Sequence, residues 1–171
     1  MTFSRFKERR PMASVAHGDQ DQSRLQRQVS VERLIPAAAA RIFDLLADPA
    51  AHSLFDGSGT VIAGHPRNPQ RLTMGARFTM DMRHRVAYRM WNTVVEFEED
   101  RRIAWRHAIG HHVWRYELEP VTATTTLVRE TFDWTTCRTK WLIRVLNWET
   151  RNEQSMRVTL ERLSTLLEPV G

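Results

Sequence analysis

Three titratable side chains occur at positions where the alternation of the sequence would place an apolar group. Glu130 has the same parity as Phe132 and Trp134, so in a β-strand its carboxyl group points to the same side as these rings. His107 and His112 stand in the same relation to neighbouring tryptophans. A carboxyl group beside an imidazole can work as an acid/base pair whose pKa values are shifted by burial. Glu130 and His107 are therefore candidate catalytic residues.

Structural explanations of the same residues are also open. An inward hydroxyl or arginine can satisfy a buried carboxylate, and a β-bulge can turn it outward. His107, His111 and His112 are close in sequence, but Gly110 predicts a hairpin there and not the helix on which metalloproteases space two histidines. Nor does the sequence contain the glycine spacing of a dinucleotide site. We expect no metal ion and no cofactor.

A second polar interruption lies in the predicted C-terminal helix, over residues 140–167. At 100° per residue one broad arc contains the apolar side chains of Leu142, Val145, Leu146, Met156, Leu160, Leu163 and Leu167. Glu149, Asn152 and Glu153 point into this arc. Carboxylates that face a dry core cost several kcal/mol unless they are paired. Either the middle of the helix faces a wet cavity or buried cations, or the helix bends away from its support and these groups reach solvent.

Aromatic and methionine side chains dominate the predicted inward faces of the strands. They are Phe78, Met80, Met82, Trp91, Phe97, Trp105, Trp114, Tyr116, Phe132 and Trp134. An apolar wall with a few convergent polar groups is the usual site for a small molecule, although the same residues also fill ordinary cores. We expect Glu130, His107, Glu149 and Asn152 to orient the polar end of a ligand, and we include His112 and Met156 among the candidate ligand-binding residues.

The elements that must position these groups follow from periodicity and from turn residues. A strand over 28–35 precedes a helix that Pro36 opens and Asp48-Pro49 ends, and residues 50–55 form a second short helix. Further strands are predicted over 60–62, 76–83, 86–98, 101–107, 112–119 and 124–135. The long helix must cover the concave face of this antiparallel meander. The sequence predicts an α+β fold whose sheet of about seven strands wraps around the last helix.

Length and composition predict one domain. The chain has 171 residues, with 25 Lys+Arg against 20 Asp+Glu and one cysteine. The arginines are scattered and do not form a stripe, so we expect no nucleic-acid partner, and no apolar run is long enough to span a membrane. Residues 1–24 are predicted to be a disordered tail, with Met12 as a second possible start, and residues 25–169 a single domain. We expect a cytoplasmic monomer or homodimer.

Several phrases of the sequence resemble a known family in their order and spacing. They are Val29–Val31, Ile35–Ala37, Ile42–Pro49, Val95–Glu98, Arg102–Trp105 and Trp114–Pro120. Together they resemble the polyketide cyclase/dehydrase branch of the START/Bet v 1-like (SRPBCC) superfamily, from about Val29 to Leu167. The resemblance implies the helix-grip fold, with an apolar cavity between the sheet and the last helix. It implies ligands such as lipids, sterols, polyketides or quinones, and no universal catalytic residue.

Three functions are compatible with these observations. The first is the binding of a hydrophobic small molecule, such as a lipid, a polyketide or an aromatic compound, in the central cavity. The second is a cyclase or dehydratase in which Glu130 or His107 moves a proton at a carbonyl-bearing substrate. The third is a protein-interaction module that uses an outer basic face, as do the chaperone-ATPase activators that share the implied fold.

Overall fold

The computed structural model describes residues 27–138 and 140–168, without the side chains of Leu142 and Arg144. The tail predicted over 1–24 lies outside the described residues. The strands are β1 (Gln28–Ile35), β2 (Val61–Gly64), β3 (Arg77–Arg83), β4 (Ala87–Glu98), β5 (Arg102–His107), β6 (Val113–Thr122) and β7 (Thr125–Asp133). The helices are α1 (Ala39–Ala47), α2 (His52–Phe55), α3 (Lys140–Val145) and α4 (Trp148–Leu167).

The seven strands form one antiparallel sheet in the order β1-β7-β6-β5-β4-β3-β2. Successive strands pair as hairpins from β2 to β7, and β1 then pairs with β7. α4 contacts β1 and β7, and α1 and α2 pack against it, so the core lies between the curved sheet and the helices. The predicted α+β helix-grip architecture is confirmed.

The first helix begins three residues later than predicted. Ala38 is extended, with ψ of 144°, and α1 starts at Ala39, so Pro36 lies before the helix and does not open it. Ile42, Phe43 and Leu46 repeat at helical spacing, and all three are fully buried. The predicted end is confirmed, because Asp48 adopts an extended conformation ahead of Pro49.

The prediction of one continuous C-terminal helix over 140–167 is wrong. Asn147 has φ of 51° and ψ of 38°, a left-handed conformation that asparagine tolerates better than most residues, and it separates α3 from α4. The break rotates α3 relative to the predicted arc. Val145 and Leu146 are consequently 72% and 44% exposed instead of buried. Within the described part of the chain, no helix is long and apolar enough to cross a membrane.

The prediction that Trp91 faces inward is also wrong. The register between β4 and β5 shifts between Val94 and Glu96, which marks a β-bulge. The extra residue reverses the alternation, so Phe97 packs against the core while Trp91 belongs to the opposite face and is 49% exposed. Asn92 and Val94 take the inward positions in this half of β4.

Candidate functional site

Glu130 lies in the middle of β7, on the face that the helices cover. The strand register places it between Val31 of β1 and Tyr116 of β6, and only 2% of its surface is exposed. Tyr116 Oη donates a hydrogen bond of 2.8 Å to Glu130 Oε1. Glu130 Oε2 is buried and has no hydrogen-bond partner among the described residues. The inward orientation of Glu130 is confirmed, and its partner is a hydroxyl group.

The surroundings of Glu130 keep its carboxyl group protonated. Burial raises the pKa of Glu130 to about 8, against a smaller lowering by the Tyr116 hydrogen bond and a further increase from the negative charge of Asp56. The pKa of Tyr116 is raised as well, chiefly by its own burial. At neutral pH Oε1 therefore accepts from the phenol, and the carboxyl proton is available on Oε2. A neutral carboxylic acid of this kind can donate a hydrogen bond or a proton.

A loop held against α4 places Asp56 near this carboxyl group. Gly57 N donates a 2.9 Å hydrogen bond to Thr159 Oγ1, and an arginine of α4, Arg162, donates to the main-chain oxygen of Asp56. A Cβ atom at Gly57 would lie 2.1 Å from the main-chain oxygen of Ser155, so only glycine permits this close approach. The contact fixes a negative charge where it favours the neutral form of Glu130.

An aromatic stack lies beside Tyr116. The Trp105 ring is 5.5 Å from that of Tyr116 and stacks on the imidazole of His52 at 5.1 Å. His52 Nε2 donates to the main-chain oxygen of Leu46 at 2.9 Å, and burial lowers the pKa of His52, which keeps the ring neutral. Sequence reasoning missed His52. Its spacing of three residues from Phe55 in a short helix was the available signal.

A second aromatic cluster contains His107 and His112. Phe132 contacts Trp114 at 4.8 Å, Trp134 at 5.4 Å and His112 at 5.3 Å, and His107 stacks on His112 at 4.9 Å. His107 Nδ1 accepts a hydrogen bond from the main chain of the hairpin, whereas His112 Nδ1 is buried without a partner among the described residues. Burial is the main cause that lowers the pKa of His112 to about 3.

The structure does not bring Glu130 and His107 together. Glu130 belongs to the row of Tyr116 and Ile103, and His107 follows Ile103 by four residues along β5. At about 3.3 Å per residue the two rows are roughly 13 Å apart. The expected pairing of Glu130 with an imidazole is therefore replaced by its pairing with a phenol.

The other predicted wall residues take several positions. Phe78, Met80, Met82, Trp105 and Met156 are buried in the same core, and Phe97 packs edge-on against Phe43 at 5.3 Å. Trp91 lies outside this group.

On α4, Glu149 and Asn152 are only partly buried. Glu153 also reaches solvent, where its carboxylate accepts a 2.6 Å hydrogen bond from Arg157. Of the three polar residues predicted to interrupt the apolar arc, Glu153 thus follows the alternative in which the group reaches solvent.

Comparisons with known proteins identify the family and the fold of the chain. The sequence profile of the family described as polyketide cyclase / dehydrase and lipid transport matches residues 26–168. The chain belongs to this family. The uncharacterized protein Rv0088 of Mycobacterium tuberculosis strain H37Rv is 36% identical over 124 residues, which cover 72% of this chain and 53% of the relative. The chain thus spans about half the length of the curated relatives that it matches.

Solved structures share the fold at low sequence identity. Protein NE0264 from Nitrosomonas europaea has a TM-score of 0.64 at 16% identity, over 82% of this chain and 93% of that one. The polyketide-cyclase-like protein Cgl2372 from Corynebacterium glutamicum has a TM-score of 0.52 at 17% identity, over 82% and 90%. The Aha1 protein from Colwellia psychrerythraea, solved as a dimer, has a TM-score of 0.58 at 16% identity, over 82% and 96%.

Proposed function

We propose that the protein binds a hydrophobic small molecule between the sheet and α4, and that Glu130 donates a hydrogen bond to its polar end. The observation that carries the proposal is the buried Oε2 atom of Glu130, which lacks a partner among the described residues. A buried polar group without a partner costs about 1–3 kcal/mol. A carbonyl or hydroxyl oxygen of a ligand would remove this cost, because the protonated carboxyl group can donate to it.

The chemistry around Glu130 favours an apolar ligand with one polar group. Tyr116 bonds this carboxyl group, Trp105 packs beside Tyr116, and Phe78 packs on Trp105. A large apolar surface with a few polar groups is the usual composition of a small-molecule site. Family membership supports the same class of function. The rings contact each other, so a ligand has to separate them. Met80 and Met156 belong to the same core, and methionine side chains adapt to irregular shapes.

A naphthyl ketone tests the proposal directly. Prodan is neutral and hydrophobic, and its emission reports hydrogen bonding to its carbonyl oxygen. We expect saturable binding to the parent protein. Glu130→Leu should weaken binding roughly three- to tenfold and move the emission to the blue, because the donor is lost. Glu130→Gln keeps an N–H donor and an acceptor for Tyr116, and should bind within about threefold of the parent.

The matched control is Trp141→Ala, which removes an exposed indole of α3 and should leave prodan binding unchanged. If prodan does not saturate, or if Glu130→Leu changes neither affinity nor emission, the proposal fails. Native mass spectrometry of freshly purified protein gives an independent test. A discrete added mass that Glu130→Leu reduces supports the proposal and identifies the chemistry of the ligand.

A second candidate function is favoured by the raised pKa of Glu130. As a cyclase or dehydratase, the protein would use Glu130 as a general acid at neutral pH. In a dehydration, Glu130 protonates a departing hydroxyl group, which leaves as water, and the resulting carboxylate takes up the proton that the substrate loses. Mass spectrometry of the co-purified molecule incubated with the protein would show the loss of one water. Glu130→Gln should then keep binding and lose turnover, whereas no turnover in any variant favours a carrier.

A further inference from the structure

The outer face of the sheet is divided into two electrostatically different regions. Across five strands, the register places Glu98, Arg102, Glu117, Arg129 and Glu32 in one row of alternating charge. Neighbouring members form ion pairs, such as the 2.6 Å hydrogen bond from Arg129 Nε to Glu32. Arginines in this region are therefore neutralised by carboxylates on adjacent strands.

At the other end of the same face Asp81 pairs with Arg89 at 3.0 Å, whereas three nearby arginines form no ion pair with a described residue. There the register places Arg77 of β3, Thr93 of β4 and Arg106 of β5 in one row. Arg77, Arg106 and the nearby Arg67 are exposed, and none of them forms an ion pair with a described residue. The half-exposed indole of Trp91 lies one pleat away on β4. Here an exposed indole lies near guanidinium groups that form no ion pair with the described part of the chain.

An open cleft of about 480 Å³ lies here, and its lining includes Arg67, Arg77, Thr79, Trp91 and Thr93. A volume of this order suits a small ligand. Thr79 is directly opposite Trp91, and Arg77 is diagonal to it, within reach of a long side chain. Arg77 and Arg106 are two strands apart, roughly 10 Å between their Cα atoms.

A well-anchored loop brings Arg67 to the same cleft. Asn68 and Thr79 form two hydrogen bonds of 2.8 Å. The main-chain nitrogen of Thr79 donates to Asn68 Oδ1, and Asn68 Nδ2 donates to the main-chain oxygen of Thr79. His65 N donates a third bond to the same oxygen at 3.0 Å. The loop therefore continues the edge of β3 where β2 has ended, and it fixes the main chain that carries Arg67.

We propose that this cleft binds a small ligand that carries a planar aromatic ring and an anionic group. The ring stacks on Trp91, whose π-face accepts any planar partner. The anion takes charge-assisted hydrogen bonds from Arg77 and Arg67, whose planar forks match carboxylate and phosphate oxygens. Aryl carboxylates and nucleoside phosphates share this chemistry. The site lies on the opposite face of the sheet from Glu130 and does not depend on the function proposed for that residue.

Isothermal titration calorimetry with AMP and with naphthoate tests the proposal and separates the two sources. If only AMP binds saturably, the ligand is a phosphate ester. If only naphthoate does, it is a carboxylate, and if both do, the site accepts either anion. Arg77→Gln should weaken the binding at least about tenfold, and Trp91→Ala at least about fivefold. Adenosine has the aromatic ring without the anion, and inorganic phosphate has the anion without the ring. If AMP binds, each should bind at least about tenfold more weakly than AMP.

Two matched controls separate the cleft from the general surface. Arg89→Gln removes an arginine of the same face that Asp81 already pairs at 3.0 Å, and Trp141→Ala removes an exposed tryptophan that does not line the cleft. Both should leave affinity unchanged. The proposal is overturned if neither probe saturates below about 1 mM, if phosphate binds as tightly as AMP, or if the control variants weaken binding as much as Arg77→Gln. A dimer that Trp91→Ala dissociates would also overturn it, since the occupant would be a second copy.

Discussion

Glu130 and Glu96 lie on opposite faces of one sheet, and their environments move the pKa of the two carboxyl groups in opposite directions. Glu96 accepts a 2.9 Å hydrogen bond from Arg115 Nε, and this interaction lowers the pKa of Glu96 despite partial burial. Glu130 has the phenol of Tyr116 as its partner, and burial is the largest influence on its pKa, which it raises. The comparison shows that a carboxyl group at a sheet position is ionised where a cation from another strand reaches it, and neutral where only a hydroxyl group does.

The largest expected difference between the two faces is in the loss of stability when a tryptophan is replaced by alanine. Trp105→Ala should lower the free energy of unfolding by about 4 kcal/mol, because it leaves a cavity among His52, Phe78 and Tyr116. Trp91→Ala, on the outer face, should change it by no more than about 0.5 kcal/mol. Urea unfolding of both variants measures this. Similar losses for the two would mean that Trp91 contributes to the core.

Glu130→Gln should stabilise the protein at neutral pH. The folded-state pKa of Glu130 is raised to about 8 from 4.5, so between these values the unfolded chain releases a proton that the folded chain retains, and parent stability falls as pH rises. A glutamine side chain has no proton to release. The difference in unfolding free energy, variant minus parent, should therefore be about 3 kcal/mol larger at pH 7 than at pH 4.

Urea unfolding across this pH range measures the effect, and Glu130→Leu serves as its control because it loses the Tyr116 hydrogen bond at every pH. A constant difference between Glu130→Gln and the parent from pH 4 to pH 8 would show that Glu130 is ionised in the folded protein.

The inward position of Glu130 follows from local sequence, whereas its partner does not. Strand parity alone predicts where the carboxyl group points, since side chains alternate with a period of two. That Tyr116 is opposite depends on the register between β6 and β7, which a residue more or less in the connection would change. The reversed orientation of Trp91 has a related cause. A bulge adds one residue to β4 near Val95, and the alternating pattern of the sequence does not mark it.

The break in the C-terminal helix has a different origin. Helical periodicity continues through Asn147, so a pattern of apolar residues predicts one helix, and only the left-handed backbone of Asn147 ends α3. Asparagine permits this conformation without requiring it. The fold was therefore predictable from patterns of many residues, while the composition of the site depends on single backbone irregularities.

His112→Phe should reveal the opposite pH dependence on the inner face. The folded-state pKa of His112 is lowered to about 3 from 6.5, so the stability of the parent is lost as pH falls below 6.5, where only the unfolded chain takes up a proton. Phenylalanine has no proton to gain. Relative to the parent, the variant should gain about 2 kcal/mol of unfolding free energy between pH 7.5 and pH 5. Thermal or urea unfolding at both values measures it, and an unchanged difference would contradict a buried neutral imidazole.

The smallest effect should come from Glu96→Gln, with the sign opposite to that of Glu130→Gln. The pKa of Glu96 is lowered in the folded protein, so its ionised form contributes stability above the unfolded value of 4.5, and this contribution is lost as pH falls through the folded-state pKa. At pH 7 the substitution removes the charge that Arg115 pairs, and should cost about 1 kcal/mol. The cost should diminish in acid and in high salt, as expected for a partly exposed pair. Because Glu96→Gln and Glu130→Gln are the same chemical change on two faces of one sheet, equal signs at pH 7 would mean that burial does not decide the protonation of Glu130.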